Sequence, residues 1–217
     1  ANGKKRSECE YKDDKKNGKE TVWHENGFKY SECEYIDGNK IGKEKTWYES
    51  GKLRSEWQHL DRNSKCITWH RSGNKESEQE FKDGKLNGIS VEWYKDGVLK
   101  TECVYLDDKL NGKFTERHKN GLKKSEAEYK FGVLIGKSKE WDNKGAQLAV
   151  RSYKNDKSYG NLTEGYKPDT IKTEHELLNG KLNGKSIEWY KDGVKKSECE
   201  YIDGSGKETV WYENGSK

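Results

Sequence analysis

Five histidines, five cysteines and two columns of carboxylates are the residues of this 217-residue chain that could do chemistry. Acid–base catalysis or metal binding would need them to converge on one place. Instead they recur. His24, His70 and His118 each follow a Trp, where Tyr48, Tyr94, Tyr190 and Tyr212 stand elsewhere, while His59 and His175 fill positions held by Tyr and Cys in other copies. A structural role is expected for all five. Cys9, Cys33, Cys103 and Cys199 share one position of a repeated pattern, and Cys66 lies in a shortened loop. Members of such a column, two strands apart, are separated by ~9–10 Å, beyond the ~7 Å a disulfide can span. The expectation is free, buried thiols in a reducing, cytoplasmic compartment. No Cys-x-x-Cys suggests zinc. Asp13, Asp37, Asp61, Asp83, Asp107 and Asp203 open hairpin loops, where Asp serves turn geometry. The glutamates alternate with lysines across strands, as Glu8 with Lys19, and read as a ladder facing water. The residues thus indicate no enzyme, no metal and no cofactor.

What positions these residues is a repeat. Lys181–Tyr201 matches Lys85–Tyr105 at 16 of 21 positions, 96 residues apart. A marker Gly recurs at Gly3, Gly27, Gly51, Gly73, Gly97, Gly121, Gly145, Gly193 and Gly215, with Asp169 in the remaining slot. Spacings are 24, or 22 after Gly51 and Gly193, which makes about nine repeats. Glu stands five residues after the marker, except at Val150, and an aromatic ring usually stands eight after it. A second Gly follows, and then Trp, except at Arg117 and Gly165.

Each repeat holds two short alternating runs, such as SECEY and SIEWY, bounded by Gly, Asn and Asp. Period-two alternation with turn residues between is the signature of half-exposed strands. The expected fold is all-β: an elongated, single-layer antiparallel meander of hairpin repeats. The domain expectation is a single array over residues 1–217, irregular at 145–178, where the Glu, Trp and marker Gly lapse and Pro168 appears. A three-residue loop at 191–193 pairs Tyr190 with Val194. Strict alternation from that pair places Trp189 on one face with Ser197, Cys199 and Tyr201. Both short repeats lose two residues, an even number that preserves side-chain alternation.

The pattern Tyr-x-Asp-Gly-Lys-Leu-Asn-Gly-Lys followed by Trp-Tyr-x-x-Gly-x-x-x-Ser-Glu resembles the MORN repeats, in their bacterial variant class. It recurs over essentially the whole chain. The resemblance implies hairpins stacked into a curved sheet and a non-catalytic role in binding proteins or lipid head groups. Bacterial proteins of the class are often described as antitoxin-like or immunity-like. Where the eukaryotic repeat favours Gly in its first strand this chain has Glu and Cys, so lipid head groups are the weaker expectation.

Composition narrows the partner. Only 29% of residues are hydrophobic and 38% are charged, yet 12% are aromatic, too many for a disordered chain. The net charge of +4 comes from interspersed signs, so no nucleic-acid groove is expected. No run suits a membrane helix, and no signal peptide is evident. The chain starts at Ala1 and lacks Met, and is expected to be a mature or excised piece. A single sheet cannot bury both faces by itself, so an aromatic face of Trp23, Trp47, Trp69, Trp93, Trp141, Trp189, Trp211, Tyr35, Tyr105 and Tyr201 is the candidate surface for a protein partner. The alternative is a structural protein self-associating end to end into filaments, at the cell surface or outside it, through unpaired strand edges.

Overall fold

The computed structural model describes residues 5–60, 62–154, 157–158, 160–167 and 170–217. Gly3, Asp61, Pro168 and Asp169 lie outside these residues. Every regular element among the described residues is a strand. By its contacts the chain divides into two units, Ala1–Lys109 and Leu110–Lys217.

The first unit contains β1 (Ser7–Lys12), β2 (Lys15–Trp23), β3 (Lys29–Ile36), β4 (Asn39–Trp47), β5 (Leu53–Leu60), β6 (Asn63–Trp69), β7 (Lys75–Lys82), β8 (Lys85–Trp93) and β9 (Leu99–Leu106). Each pairs antiparallel with the next. The two-residue β10 (Lys109–Leu110) falls at the division. The second unit contains β11 (Gly112–Arg117), β12 (Lys123–Lys130), β13 (Val133–Trp141), β14 (Gln147–Lys154), β15 (Lys157–Ser158), β16 (Gly160–Lys167), β17 (Thr170–Leu178), β18 (Lys181–Trp189), β19 (Lys195–Ile202) and β20 (Ser205–Val210). It is a meander of the same kind, with β15 and β16 both pairing with β14. The chain is therefore an all-β antiparallel meander of hairpin repeats.

Two turns alternate. At the Asp-Gly turns both central residues have positive φ, as at Asp83 (50°) and Gly84 (78°), the two-residue type I′ geometry whose twist suits a hairpin. At the marker Gly the loop has three residues: Tyr190 N donates to Val194 O at 2.8 Å, and Gly193 N to Tyr190 O at 3.0 Å. That is the expected Tyr190–Val194 pair.

Two irregularities then set the faces. Immediately beyond the three-residue loop, Trp189 pairs with Lys195 but Glu188 pairs with Ser197, so Lys196 is an extra, bulged residue. The same bulge recurs at Tyr30, Arg54, Glu76 and Lys100 in the first unit and at Lys124, Leu148 and Lys172 in the second. A one-residue insertion in one strand reverses which face its residues share with the partner strand. The 24-residue repeats also carry a two-residue expansion in the other hairpin. Gln79 pairs with Ser90 but Phe81 with Leu86, and Gly88, inside the expansion, has φ +117°. The hairpins β5–β6 and β19–β20, which belong to the 22-residue repeats, pair one for one without it. The two missing residues are thus those of the expansion.

Burial follows the faces. Cys33, Cys66, Cys103, Cys199, Ala127 and Ala149 are all at most 8% exposed. Among the described residues no large side chain is fully enclosed, and the core of each unit is a row of small residues, joined by Tyr35 in the first and Ile187 in the second, flanked by buried Ser and Thr.

Candidate interaction surface

Residues directly opposed in an antiparallel ladder share a face. Ser197, Cys199 and Tyr201 lie opposite Glu188, Ser186 and Gly184, whereas Glu198 and Glu200 lie opposite Ile187 and Lys185. Trp189 alternates with Ile187 and Lys185. It therefore stands with the glutamates, on the face away from Cys199 and Tyr201. Every regular repeat repeats this arrangement. The aromatic face expected to unite Trp with Tyr35, Tyr105 and Tyr201 is thereby corrected: the three-residue loop is present, but the bulge behind it moves the Trp column to the other side.

On this tryptophan face a three-part lattice recurs. The Lys two residues after the marker Gly places its ammonium over the Trp ring that closes the same repeat: Lys5 over Trp23 at 5.6 Å, Lys29 over Trp47 at 5.7 Å and Lys75 over Trp93 at 5.4 Å in the first unit. Lys123 over Trp141 at 5.7 Å and Lys195 over Trp211 at 5.5 Å do so in the second. Each such contact contributes about 0.5–1 kcal/mol at an exposed site. The same Lys pairs with the Glu three residues on, which a second Lys from the preceding strand also reaches. Glu32 holds Lys29 at 2.5 Å and Lys19 at 3.0 Å, and Glu78 holds Lys65 at 2.5 Å and Lys75 at 2.7 Å. Lys19 thus serves Glu32 and not the expected Glu8, which pairs with Lys5. The lysine hydrogen bonds hold Glu32, Glu56, Glu78 and Glu126 below the usual carboxylate range. The Trp rings themselves stay half-buried. The Lys column could have been found from sequence by tallying one more position; its target across the bulge could not.

The opposite, thiol face is quieter. All five cysteines are free, four of them buried. Burial pushes the Cys66 thiol up to about 11 and raises Cys33 and Cys103 as well, which leaves them protonated and unreactive at neutral pH. Tyr35, 8% exposed, donates its hydroxyl to Glu20 at 3.1 Å. Lys16, hydrogen-bonded to Glu20, holds that carboxylate down, while burial raises the Tyr35 phenol. Tyr35 is therefore committed to its own sheet. Tyr105 and Tyr201 are half-buried on the same face. Where a repeat departs from the pattern, Trp57 takes the Cys position and packs against Phe81 at 5.1 Å and His59 at 6.3 Å. In the irregular sector Arg151 takes it and bridges Glu140 at 2.8 Å and Glu164 at 2.7 Å, joining β13, β14 and β16.

The His/Tyr column has a role that sequence inspection missed. His24, His70 and His118 each place Nε2 3.0 Å from the carbonyl oxygen of the next repeat's Trp: Trp47, Trp93 and Trp141. Tyr48 and Tyr190 donate their hydroxyls to the Trp69 and Trp211 carbonyls at 2.7 and 2.9 Å. The two residue types interchange because each carries a ring donor at that reach. His175 instead bonds Ser186 Oγ at 2.7 Å through Nδ1.

These features define a class of protein: a hairpin-repeat scaffold, one decorated face per unit, clamped from repeat to repeat. A family model, the MORN repeat variant, matches residues 40–61, 86–107 and 179–203. Each stretch spans a Trp-bearing strand, the three-residue loop and the Glu-bearing strand after it. Repeats of this family are generally non-catalytic and suggest a scaffold for binding proteins or membranes. No curated protein matches the chain.

Proposed function

We propose that the chain is a non-catalytic scaffold that binds a protein partner through the tryptophan face, in the manner of an antitoxin or immunity protein. One observation carries this reading: Trp rings recur at a fixed position on one face of each unit, most with a Lys ammonium over the ring, and only half-buried. Rigid aromatic anchors ringed by charge are what protein interfaces concentrate their binding energy in. The unbridged cysteines support a reducing compartment. The test compares affinity capture by the wild-type chain with a Trp23→Ala/Trp93→Ala variant and a Cys103→Ser control, all matched by circular dichroism. A partner kept by the control and lost by the Trp variant supports the reading. Equal retention by the Trp variant rejects it. Growth arrest by the captured partner, relieved on co-expression with this chain, would support the antitoxin role, and a partner without effect on growth would reject it.

Assembly of copies end to end is the second reading. It is favoured by the repeat register, because successive hairpins pair through the same ladder, so an edge that accepts the next hairpin of its own chain suits the like hairpin of a second copy. Sedimentation of a strict monomer at high concentration would exclude it.

A further inference from the structure

One cluster in the first unit lacks a charge pairing that three other repeats share. The bulge aims its extra residue toward the thiol face, and in three repeats that residue is a Lys bonded to the Glu that precedes the Trp position, which Arg117 fills in one of them. Lys100 meets Glu92 at 2.9 Å, Lys124 meets Glu116 at 2.8 Å and Lys196 meets Glu188 at 3.0 Å. At the same position β5 carries Arg54. The residue preceding the facing Trp47 on β4 is Thr46, whose hydroxyl is spent on Ser55 Oγ at 2.6 Å. Arg71, from the loop after β6, comes to the same place. Both guanidiniums lie over the Tyr48 ring, 5.9 and 5.4 Å from its centroid. That ring is fixed by its hydroxyl bond to the Trp69 carbonyl. Among the described residues neither arginine has a carboxylate within ion-pair distance, and both are exposed.

We propose that Arg54 and Arg71, carried on Tyr48, form a receptor for the side-chain carboxylates of an acidic peptide segment in a protein partner. A guanidinium held over an aromatic ring by a cation–π contact does not spend its N–H donors there, and they keep the fork geometry that takes a carboxylate by two hydrogen bonds. Two adjoining clefts of about 370 and 650 Å³ share Tyr48, Arg54 and Arg71, which gives room for several residues of peptide and not for a point anion alone. Glu49 lines the first cleft and Glu76 the second. These carboxylates oppose an extended anionic surface such as a membrane, yet leave the arginines open to single side chains.

The inference rests on the scaffold reading only in that the partner is a protein. Trp23→Ala/Trp93→Ala should leave this receptor intact, so the two ideas fail separately. The probe is a fluorescent, end-blocked Gly-Glu-Glu-Glu-Gly peptide titrated with the full chain at low salt, against its Gln counterpart, inorganic phosphate and phosphatidylserine vesicles. The Glu peptide should bind and the Gln peptide should not. Arg54→Gln and Arg71→Gln should each weaken binding about tenfold or more, the usual effect of losing a charge-assisted hydrogen bond. Thr46→Glu should weaken it similarly, because it supplies the internal partner that Lys100 has in Glu92, without disturbing the circular dichroism. Equal binding of the Gln peptide, binding of phosphate or vesicles but not of the Glu peptide, or a Thr46→Glu variant of wild-type affinity would each overturn the proposal.

Discussion

Replacing Gly88 by Ala tests the account of the two-residue expansion most directly. Gly88 sits at φ +117°, a conformation essentially confined to Gly, whose cost to an L-residue is about 1–3 kcal/mol. A Cβ there would also collide with the Glu80 carboxylate and lie 3.0 Å from Glu80 Cβ. Glu80 must then swing away and release the Ile89 N–H that it accepts at 3.0 Å, a further loss of about 0.5–1.5 kcal/mol. The sum is about 1.5–4.5 kcal/mol. Gly42 occupies the equivalent place at φ +65°, and a Cβ added there would meet nothing within 4 Å, so Gly42→Ala should cost only the left-handed penalty of about 1–2 kcal/mol. Urea unfolding followed by circular dichroism should therefore give the order wild type, Gly42→Ala, Gly88→Ala. Adding Glu80→Ala to Gly88→Ala should recover the collision but not the backbone strain, a coupling that a double-mutant cycle isolates. If Gly88→Ala proves as stable as Gly42→Ala, or Glu80→Ala restores nothing, the expansion is not held by this contact.

Deleting Asn87 and Gly88 together, which converts a 24-residue repeat into the 22-residue form, should destabilise less than deleting Gly88 alone, since only the single deletion reverses the faces beyond it; unfolding midpoints decide. Stability should fall with acid: the glutamates held low by lysine contribute fully above the unfolded carboxylate range near ~4.3 and lose that contribution as pH drops through their lower folded values. Glu78→Gln should flatten the decline and cost about 1 kcal/mol or less at pH 7, read from unfolding midpoints across pH. Tyr48→Phe should cost about 1 kcal/mol by leaving the Trp69 carbonyl without its hydroxyl donor, while His118→Tyr should be near neutral by the same unfolding assay. Half-exposed Cys9 should react with a thiol reagent at once, and the four buried cysteines only as the sheet opens.

The turns were legible because they are local. Asp83-Gly84 and the loop closed at Gly193 announce their φ requirements in the residue types themselves, and loop lengths follow from spacing. The equivalence of His24 with Tyr48 was visible as a shared column, though its target, a backbone carbonyl one repeat away, was not. Arg54 and Arg71 lie 17 positions apart and in different columns; nothing in their spacing says that both reach Tyr48.

Sequence by itself determined the strands, the two kinds of hairpin and the repeat length, because each depends on residue type and period within a few neighbours. Tertiary structure alone decided which face the Trp column takes. That choice turns on one bulged residue per repeat, at Lys196 and its counterparts, and a bulge forms where closing the ladder after the three-residue loop leaves one residue over. Parity then carries the effect along the whole strand. One unpaired residue moves Trp189 from beside Cys199 to beside Glu198, and so separates the tryptophan surface from the buried thiols.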